Sequence, residues 1–215
     1  MKILAFDAAL GGFSVAVDDD GRTTALAGER PDALEAGLGR LAGLLGDTGW
    51  QLAELDRIAV GIGPGSFTGV RIAVAYAKAL AYGSGVPLVG ISSYDALEPE
   101  GASAPVLVVV SGRRGVVCTR LRDERGIATA CGPTAQVLDR LLTGSPRTIH
   151  VTGNTEDVLS QIAERGWTVR ALPARSSVPA VAIAQLARTR VPSPSPHAVT
   201  PDYGEAPAVT QRGAP

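Results

Sequence analysis

The feature that most constrains this chain is a repeat in the order of its elements. In the first half, Lys2 to Asp7 is a short apolar strand ending in an acid, and Phe13 to Val17 runs into Asp18-Asp19-Asp20-Gly21. An acidic, glycine-closed tetrapeptide between apolar runs is a strong hairpin signal, so Arg22 to Glu29 reads as the return strand. Asp32 with Glu35 has the spacing of a capping box, and Leu34, Leu38, Leu41 and Leu45 share one helical face behind it. A strand from Ile58 to Ile62, a helix from about Thr68 to Tyr82 and a strand from Pro87 to Ser92 follow. After the turn-rich stretch Glu98 to Ala104 the order starts again. Strands Pro105–Val110 and Val116–Leu121, a turn at Asp123-Glu124-Arg125-Gly126 and a strand Ile127–Cys131 form a second meander. Helix Thr134–Leu142, strand Thr148–Thr152, helix Glu156–Arg165, strand Trp167–Leu172 and a final helix Val178–Arg190 complete it.

A chain that runs twice through strand, strand, strand, helix, strand, helix predicts two related α/β lobes. This is the order of the actin, hexokinase and Hsp70-type (ASKHA) fold, each lobe a mixed sheet with flanking helices. The expected division is 1–100 for the first lobe, 101–190 for a second, reduced lobe, and 191–215 for a tail. Six of the fifteen prolines fall in those last residues, which predicts an extended or disordered segment without chemistry at its end.

Between the strand at Ile58 and the helix at Thr68 lies Gly61-Ile62-Gly63-Pro64-Gly65-Ser66-Phe67-Thr68-Gly69-Val70-Arg71-Ile72. Glycines around one proline allow a tight turn and close approach of the backbone, and Ser66 and Thr68 are both good helix caps. Backbone N–H groups converge at such a turn, and an anion is favoured there. Three readings stay open: the loop cradles a phosphate, it caps a helix, or it leads into a helix that docks. No Gly-Lys-Ser/Thr follows and no Gly-x-Gly-x-x-Gly occurs, so neither the Walker loop nor the dinucleotide fingerprint is present. In the helix, only Arg71, Tyr76 and Lys78 interrupt a surface of Val70, Ile72, Ala73, Val74, Ala75, Ala77, Ala79, Leu80 and Ala81. A helix apolar on more than one side is buried on more than one side, in this chain's core or against a partner.

Twenty basic against 21 acidic residues give a net charge of −1, so no global field draws the chain to nucleic acid or an anionic membrane. Met1-Lys2 leads straight into a strand with no basic-plus-apolar leader, which together with two cysteines, Cys118 and Cys131, reads as a cytoplasmic protein with reduced, buried thiols and no membrane partner. The two histidines, His150 and His197, have no helical i, i+4 spacing, so no metal site is expected. Arg113, Arg114, Arg120, Arg122 and Arg125 gather at the second hairpin without interleaved aromatics, which favours a solvated charged hairpin over an RNA contact.

The run Gly63 to Ile72, with Ile3-Leu4-Ala5-Phe6-Asp7 at the start and Pro87-Leu88-Val89-Gly90-Ile91-Ser92-Ser93 after the helix, closely resembles the bacterial TsaB (YeaZ) family. The resemblance is carried by the first lobe. It implies a non-catalytic subunit that dimerises through first-lobe helices with TsaD, the enzyme that forms threonylcarbamoyladenosine beside the anticodon of tRNA, with the ATPase TsaE joining the assembly. It implies a self-dimer when TsaD is absent, and contact with tRNA only through the complex. The residues it assigns are Gly63, Pro64, Gly65, Ser66, Phe67, Thr68, Gly69 and Arg71 in the loop and Val70, Val74, Ala77 and Ala81 on the docking face. No cofactor of its own is implied; ATP or ADP, in the inter-lobe cleft or at a partner interface, is the ligand of the alternative reading. The chain departs from the family pattern near Ala33, where a His is absent, at Ser111-Gly112-Arg113 and at Pro201-Asp202-Tyr203-Gly204-Glu205, which lacks a final Arg. The alternative function is an actin-fold ATPase or phosphotransferase, with Asp7 as the acid of a nucleotide cleft and the Gly63 to Gly69 loop on the phosphates.

Overall fold

A computed structural model describes residues 1–28, 33–112, 114–145, 147–156 and 158–204, with the side chains of 33–36 and 38 left out. The Asp32–Glu35 capping box and Arg113 therefore lie outside the described residues.

The first lobe is built from β1 (Lys2–Asp7), β2 (Phe13–Asp19), β3 (Arg22–Gly28), α1 (Ala33–Thr48), β4 (Arg57–Gly63), α2 (Phe67–Ser84) and β5 (Leu88–Ser92). A short helix, α3 (Ser93–Leu97), leads to β6 (Val106–Ser111), β7 (Val117–Asp123), β8 (Gly126–Gly132), α4 (Thr134–Leu141), β9 (Thr148–Gly153), α5 (Leu159–Glu164), β10 (Thr168–Ala171) and α6 (Pro179–Ala187). The strands form two five-stranded sheets, ordered β3-β2-β1-β4-β5 and β8-β7-β6-β9-β10. In each the first three strands pair antiparallel and the last two join parallel to the first, so the repeat read from element order is a repeat of sheet topology.

Period-two alternation along β1 divides the first lobe into two layers. Leu4 and Phe6 face α1 and α2, packing with Leu41, Leu44, Val70, Val74, Ala77 and Ala81. Ile3 and Ala5 face the other way, onto Ala182, Ile183, Ala184 and Ala187 of α6. The second sheet repeats this. Leu107 and Val109 pack on Val137, Leu138 and Leu141 of α4 and on Ile162 and Trp167, while Val106, Val108 and Val110 face Tyr94 and Leu97 of α3.

Three expectations change here. The helix expected to close the second lobe, α6, crosses back and covers the inner face of the first sheet, because it is apolar all round and that face offers the alternating side chains of β1, β4 and β5. α3 lies between the expected strand and the turn-rich stretch, where no element was expected; Ser92 caps it, its side chain accepting from the Tyr94 N–H at 3.2 Å. The tail, through residue 204, is packed rather than loose. Ser193 N–H donates to Leu88 O, Val199 is buried in the first-lobe core, and Asp202 N–H donates to Ile62 O at 2.7 Å. Prolines remove donors but do not prevent an extended segment from lying along a sheet edge with its remaining N–H groups engaged.

Candidate functional site

The loop after β4 has its shape from backbone approaching backbone. A Cβ at Gly65 would stand 2.4 Å from the Ala9 carbonyl oxygen, and one at Gly69 would stand 1.8 Å from that of Ala8. Ser66 N–H donates to Ala9 O at 2.9 Å, and the Ser66 side chain accepts from Gly69 N–H as the N-cap of α2. The glycines therefore let the loop dock on the β1–β2 turn, with Pro64 following Gly63 through a cis bond. Of the three readings of this loop, helix capping is the one the geometry displays, and the space beside Gly65 and Gly69 is filled by protein carbonyls.

Beyond the cap, α2 has two unlike faces. Val70, Val74, Ala77 and Ala81, expected on the docking face, are all buried in this chain's own core. This corrects the expected interface: those positions are used up by the sheet. Their apolar periodicity could not separate the two faces, since alanines run round the helix. The opposite side carries Phe67 at 58% exposure, Ile72 at 40% and Tyr82 at 75%, with Arg71, Ala75 and Ala79 also exposed between them. Thr68 is exposed at the same end. The Arg71 guanidinium lies 5.3 Å from the Phe67 ring centroid, and the ring of Tyr203 in the tail packs against the same ring, tilted by 37° with centroids 4.9 Å apart. Sequence reasoning placed Tyr203 in a motif but gave it no contact; the pairing joins residues far apart in the chain.

Asp7 ends β1 at 1% exposure. Its Oδ2 accepts from Ala9 N–H at 3.0 Å and Leu10 N–H at 2.9 Å, while Oδ1 has no partner and points at Gly61, where a Cβ would stand 2.0 Å away. Burial pushes the carboxyl up to about 6 against the pull of those two N–H donors. Between the lobes lies a cleft of about 1230 Å³, lined on one side by Ala9, Leu10, Gly11 and Ser66 to Thr68 and on the other by Ser111, Gly112, Cys118, Thr129 to Cys131, Arg140 and Asn154. Asp202, Tyr203 and Gly204 form its end wall. Asp7 is absent from the lining: Ala9 and Leu10 cover it, so the expected cleft acid sits beneath the floor. Arg140 and Asp202 are the charged side chains among the lining residues.

Three of the arginines of the second hairpin, Arg120, Arg122 and Arg125, are tied down, while Arg114 is exposed. Arg120 bridges Asp95 and Glu98 of the α3 region, Arg122 reaches Glu98 and the Ala102 carbonyl, Arg125 pairs with Asp123, and Arg147 with Glu124. Arg190 also reaches Asp95, so α3, β7 and the end of α6 share one cluster. The Arg120 guanidinium lies 5.4 Å from the Tyr94 ring centroid; burial and the nearby Asp202 charge hold the Tyr94 phenol neutral by raising its pKa. His150 Nδ1 is 2.9 Å from Ser103 O, and His197 packs against Tyr82. Among the described residues no three His, Cys, Asp or Glu come together as a metal site, and no helix is long and apolar enough to cross a membrane. Cys118 and Cys131, expected as reduced thiols, are joined by a disulfide, since they fall directly opposite one another on β7 and β8 with Cα atoms 4.1 Å apart.

Comparison with known proteins agrees with this architecture. The family model of TsaD, tRNA N6-adenosine threonylcarbamoyltransferase, matches residues 38–170, more than half of the chain. The tRNA threonylcarbamoyladenosine biosynthesis protein TsaB of Escherichia coli is 36% identical over 135 residues, 59% of this chain and 58% of that protein. The TsaB of Bacillus subtilis is 40% identical over 98 residues, 44% of this chain and 43% of that one. The matches thus span about half the length of these curated relatives. The solved structure of YeaZ from Pseudomonas aeruginosa superposes with a TM-score of 0.71 at 22% identity, covering 94% of this chain and 99% of that one, which shows a common two-lobe fold. This chain belongs to the TsaD family and, within it, to the TsaB (YeaZ) group.

Proposed function

We propose that this chain is a non-catalytic docking and activating subunit in the formation of threonylcarbamoyladenosine in tRNA, seated on the catalytic subunit TsaD through the exposed face of α2, with TsaE joining the pair. The observation that carries this reading is the division of α2. One face is consumed by the chain's own core, and the other leaves Phe67, Ile72, Ala75, Ala79 and Tyr82 in a continuous apolar stripe flanked by Arg71. Aromatic side chains and arginine over small residues are the make-up of a binding hot spot, and alanines let a second helix come close. In the absence of TsaD the same stripe serves a second copy of the chain. Contact with tRNA falls to the assembled complex, in keeping with Arg120, Arg122 and Arg125 already engaged by carboxylates.

The competing reading, an actin-fold ATPase or phosphotransferase with ATP or ADP in the cleft, has less support. Its acid, Asp7, lies under Ala9 and Leu10, and its phosphate loop has the Ala8 and Ala9 carbonyls where anionic oxygens would have to come.

Size-exclusion chromatography with light scattering, on the chain alone and mixed with the TsaD of the same organism, tests the reading. A one-to-one complex that weakens by at least about tenfold in Ile72→Glu, with the variant's thermal unfolding unchanged, is the expected result. A folded Ile72→Glu that binds TsaD as tightly as the parent overturns the assignment of the face.

A further inference from the structure

The end wall of the inter-lobe cleft brings three things together. Gly204 lies against the Cys118–Cys131 pair so closely that a Cβ on it would stand 2.6 Å from each sulfur. The same position is 3.2 Å from the Pro64 side chain, so Gly204 is wedged between the second-lobe hairpin and the first-lobe loop. Its neighbours hold it there: Gly204 N–H donates to Asp202 Oδ1 at 2.8 Å, Asp202 N–H donates to Ile62 O at 2.7 Å, and Tyr203 packs against Phe67. Cys131 is partly exposed and both cysteines line the cleft, so a small molecule can reach the bond from solvent.

We propose that Cys118 and Cys131 form a reversible dithiol–disulfide switch whose state sets the seating of the strap 202–204. In the disulfide the two sulfurs share a bond and present the shallow surface on which Gly204 lies. Reduction parts them to van der Waals contact and adds a hydrogen to each, at the place where Gly204 leaves no room for growth. The strap lifts, and Tyr203 leaves Phe67.

The exchange balances with a small-molecule disulfide of the glutathione class as oxidant. The Cys131 thiolate attacks one sulfur of that disulfide, whose S–S bond breaks and whose other half leaves as a thiolate. The Cys118 thiolate then attacks Cys131 Sγ, closing the protein disulfide and expelling the second half. Two electrons pass from the two cysteines to the small molecule, and the two cysteine protons end on the two thiols released. An excess of the small thiol runs the steps backward.

Because Tyr203 packs against Phe67, the disulfide form leaves the leading residue of the exposed α2 face covered on one side, and the dithiol form uncovers it fully. This consequence rests on the docking reading proposed above, and the switch itself does not.

The experiment equilibrates the full chain with glutathione buffers of differing reduced-to-oxidised ratio, confirms the thiol count by mass spectrometry, and follows chymotrypsin cleavage after Tyr203. Protection in the disulfide form and cleavage faster by about tenfold in the dithiol form is the expected result. Cys131→Ser should be cleaved fast in every buffer. Gly204→Ala, which keeps the disulfide but places a methyl against both sulfurs, should be cleaved fast even when oxidised. Equal cleavage of both forms of the parent, failure of the thiols to oxidise, or redox dependence that survives in Cys131→Ser each overturns the switch. Affinity for the catalytic partner, measured on both forms, separates the two ideas. Redox-dependent cleavage with partner affinity several-fold weaker in the oxidised form supports both. The same cleavage with affinity unmoved overturns the masking of the docking face and leaves the switch standing, while binding lost in Ile72→Glu without any redox-dependent cleavage overturns the switch and its masking and leaves the docking reading standing.

Discussion

Gly69 lies directly beneath the carbonyl of Ala8: a single added carbon at 69 would stand 1.8 Å from that oxygen. The contact ties the first turn of α2 to the β1–β2 turn, and Gly65 makes the same approach to Ala9. Alanine is favoured over glycine inside a helix by about 1 kcal/mol, but overpacking against a fixed backbone oxygen costs about 3 kcal/mol or more. The clash wins. Gly69→Ala is expected to lower the unfolding free energy by a net of about 2 kcal/mol or more, read as a lower urea midpoint. A variant equal to or more stable than the parent would show that the two turns separate at little cost.

The two faces of α2 predict opposite responses to one substitution. Val74→Glu puts an unpaired carboxylate into the core between α2 and the first sheet and is expected to destabilise the chain by several kcal/mol, enough to unfold it. Ile72→Glu, two residues away on the open side, should change stability by less than about 0.5 kcal/mol. Circular dichroism melts of the two variants side by side decide which face is core, before any partner is added.

Asp7 makes stability depend on pH in a definite direction. Its folded-state pKa is raised from 3.8 to about 6, so the native state holds this proton more tightly than the unfolded chain does. The contribution is fully present below about pH 4 and is lost as pH rises through about 6. A shift of about two units corresponds to about 3 kcal/mol between those limits. Asp7→Asn should flatten the dependence between pH 4 and 7, read as unfolding free energy against pH. Parallel curves for parent and variant would place the titration elsewhere.

The cluster of Arg120 with Asp95 and Glu98 joins the lobes through side chains that are mostly buried. Removing the guanidinium leaves two carboxylates that keep only Arg190 and Arg122 as partners. Arg120→Ala is expected to cost about 2 to 4 kcal/mol, and a double-mutant cycle with Glu98→Ala should return a coupling of about 1 to 3 kcal/mol. Additive effects would mean that Arg120 and Glu98 do not act as a pair in holding the lobes.

Val199 tests the tail. It is buried against the first-lobe core, next to Gly90 and Ile62. Val199→Asp should lower stability by about 2 to 4 kcal/mol, whereas a loose tail would tolerate it within about 0.5 kcal/mol.

What the sequence by itself determined is what local chemistry decides. Alternating strands, the acidic glycine-closed turns at 18–21 and 123–126, and the strand, glycine loop and helix around Gly65 follow from turn residues and periodicity, and their doubled order gives two sheets of one topology. What only the tertiary structure decided is where apolar surface finds a partner. α2 and α6 are apolar around most of their girth, so periodicity could not say that Val74 faces inward and Ile72 outward, or that α6 belongs to the first sheet. The seating of Tyr203 on Phe67, the arginine cluster at Asp95 and Glu98, and the Cys118–Cys131 pair under Gly204 are contacts between residues distant in the chain or on neighbouring strands. A local pattern carries no register or neighbour for such contacts; they exist once the two lobes close against each other and the tail is laid across the gap.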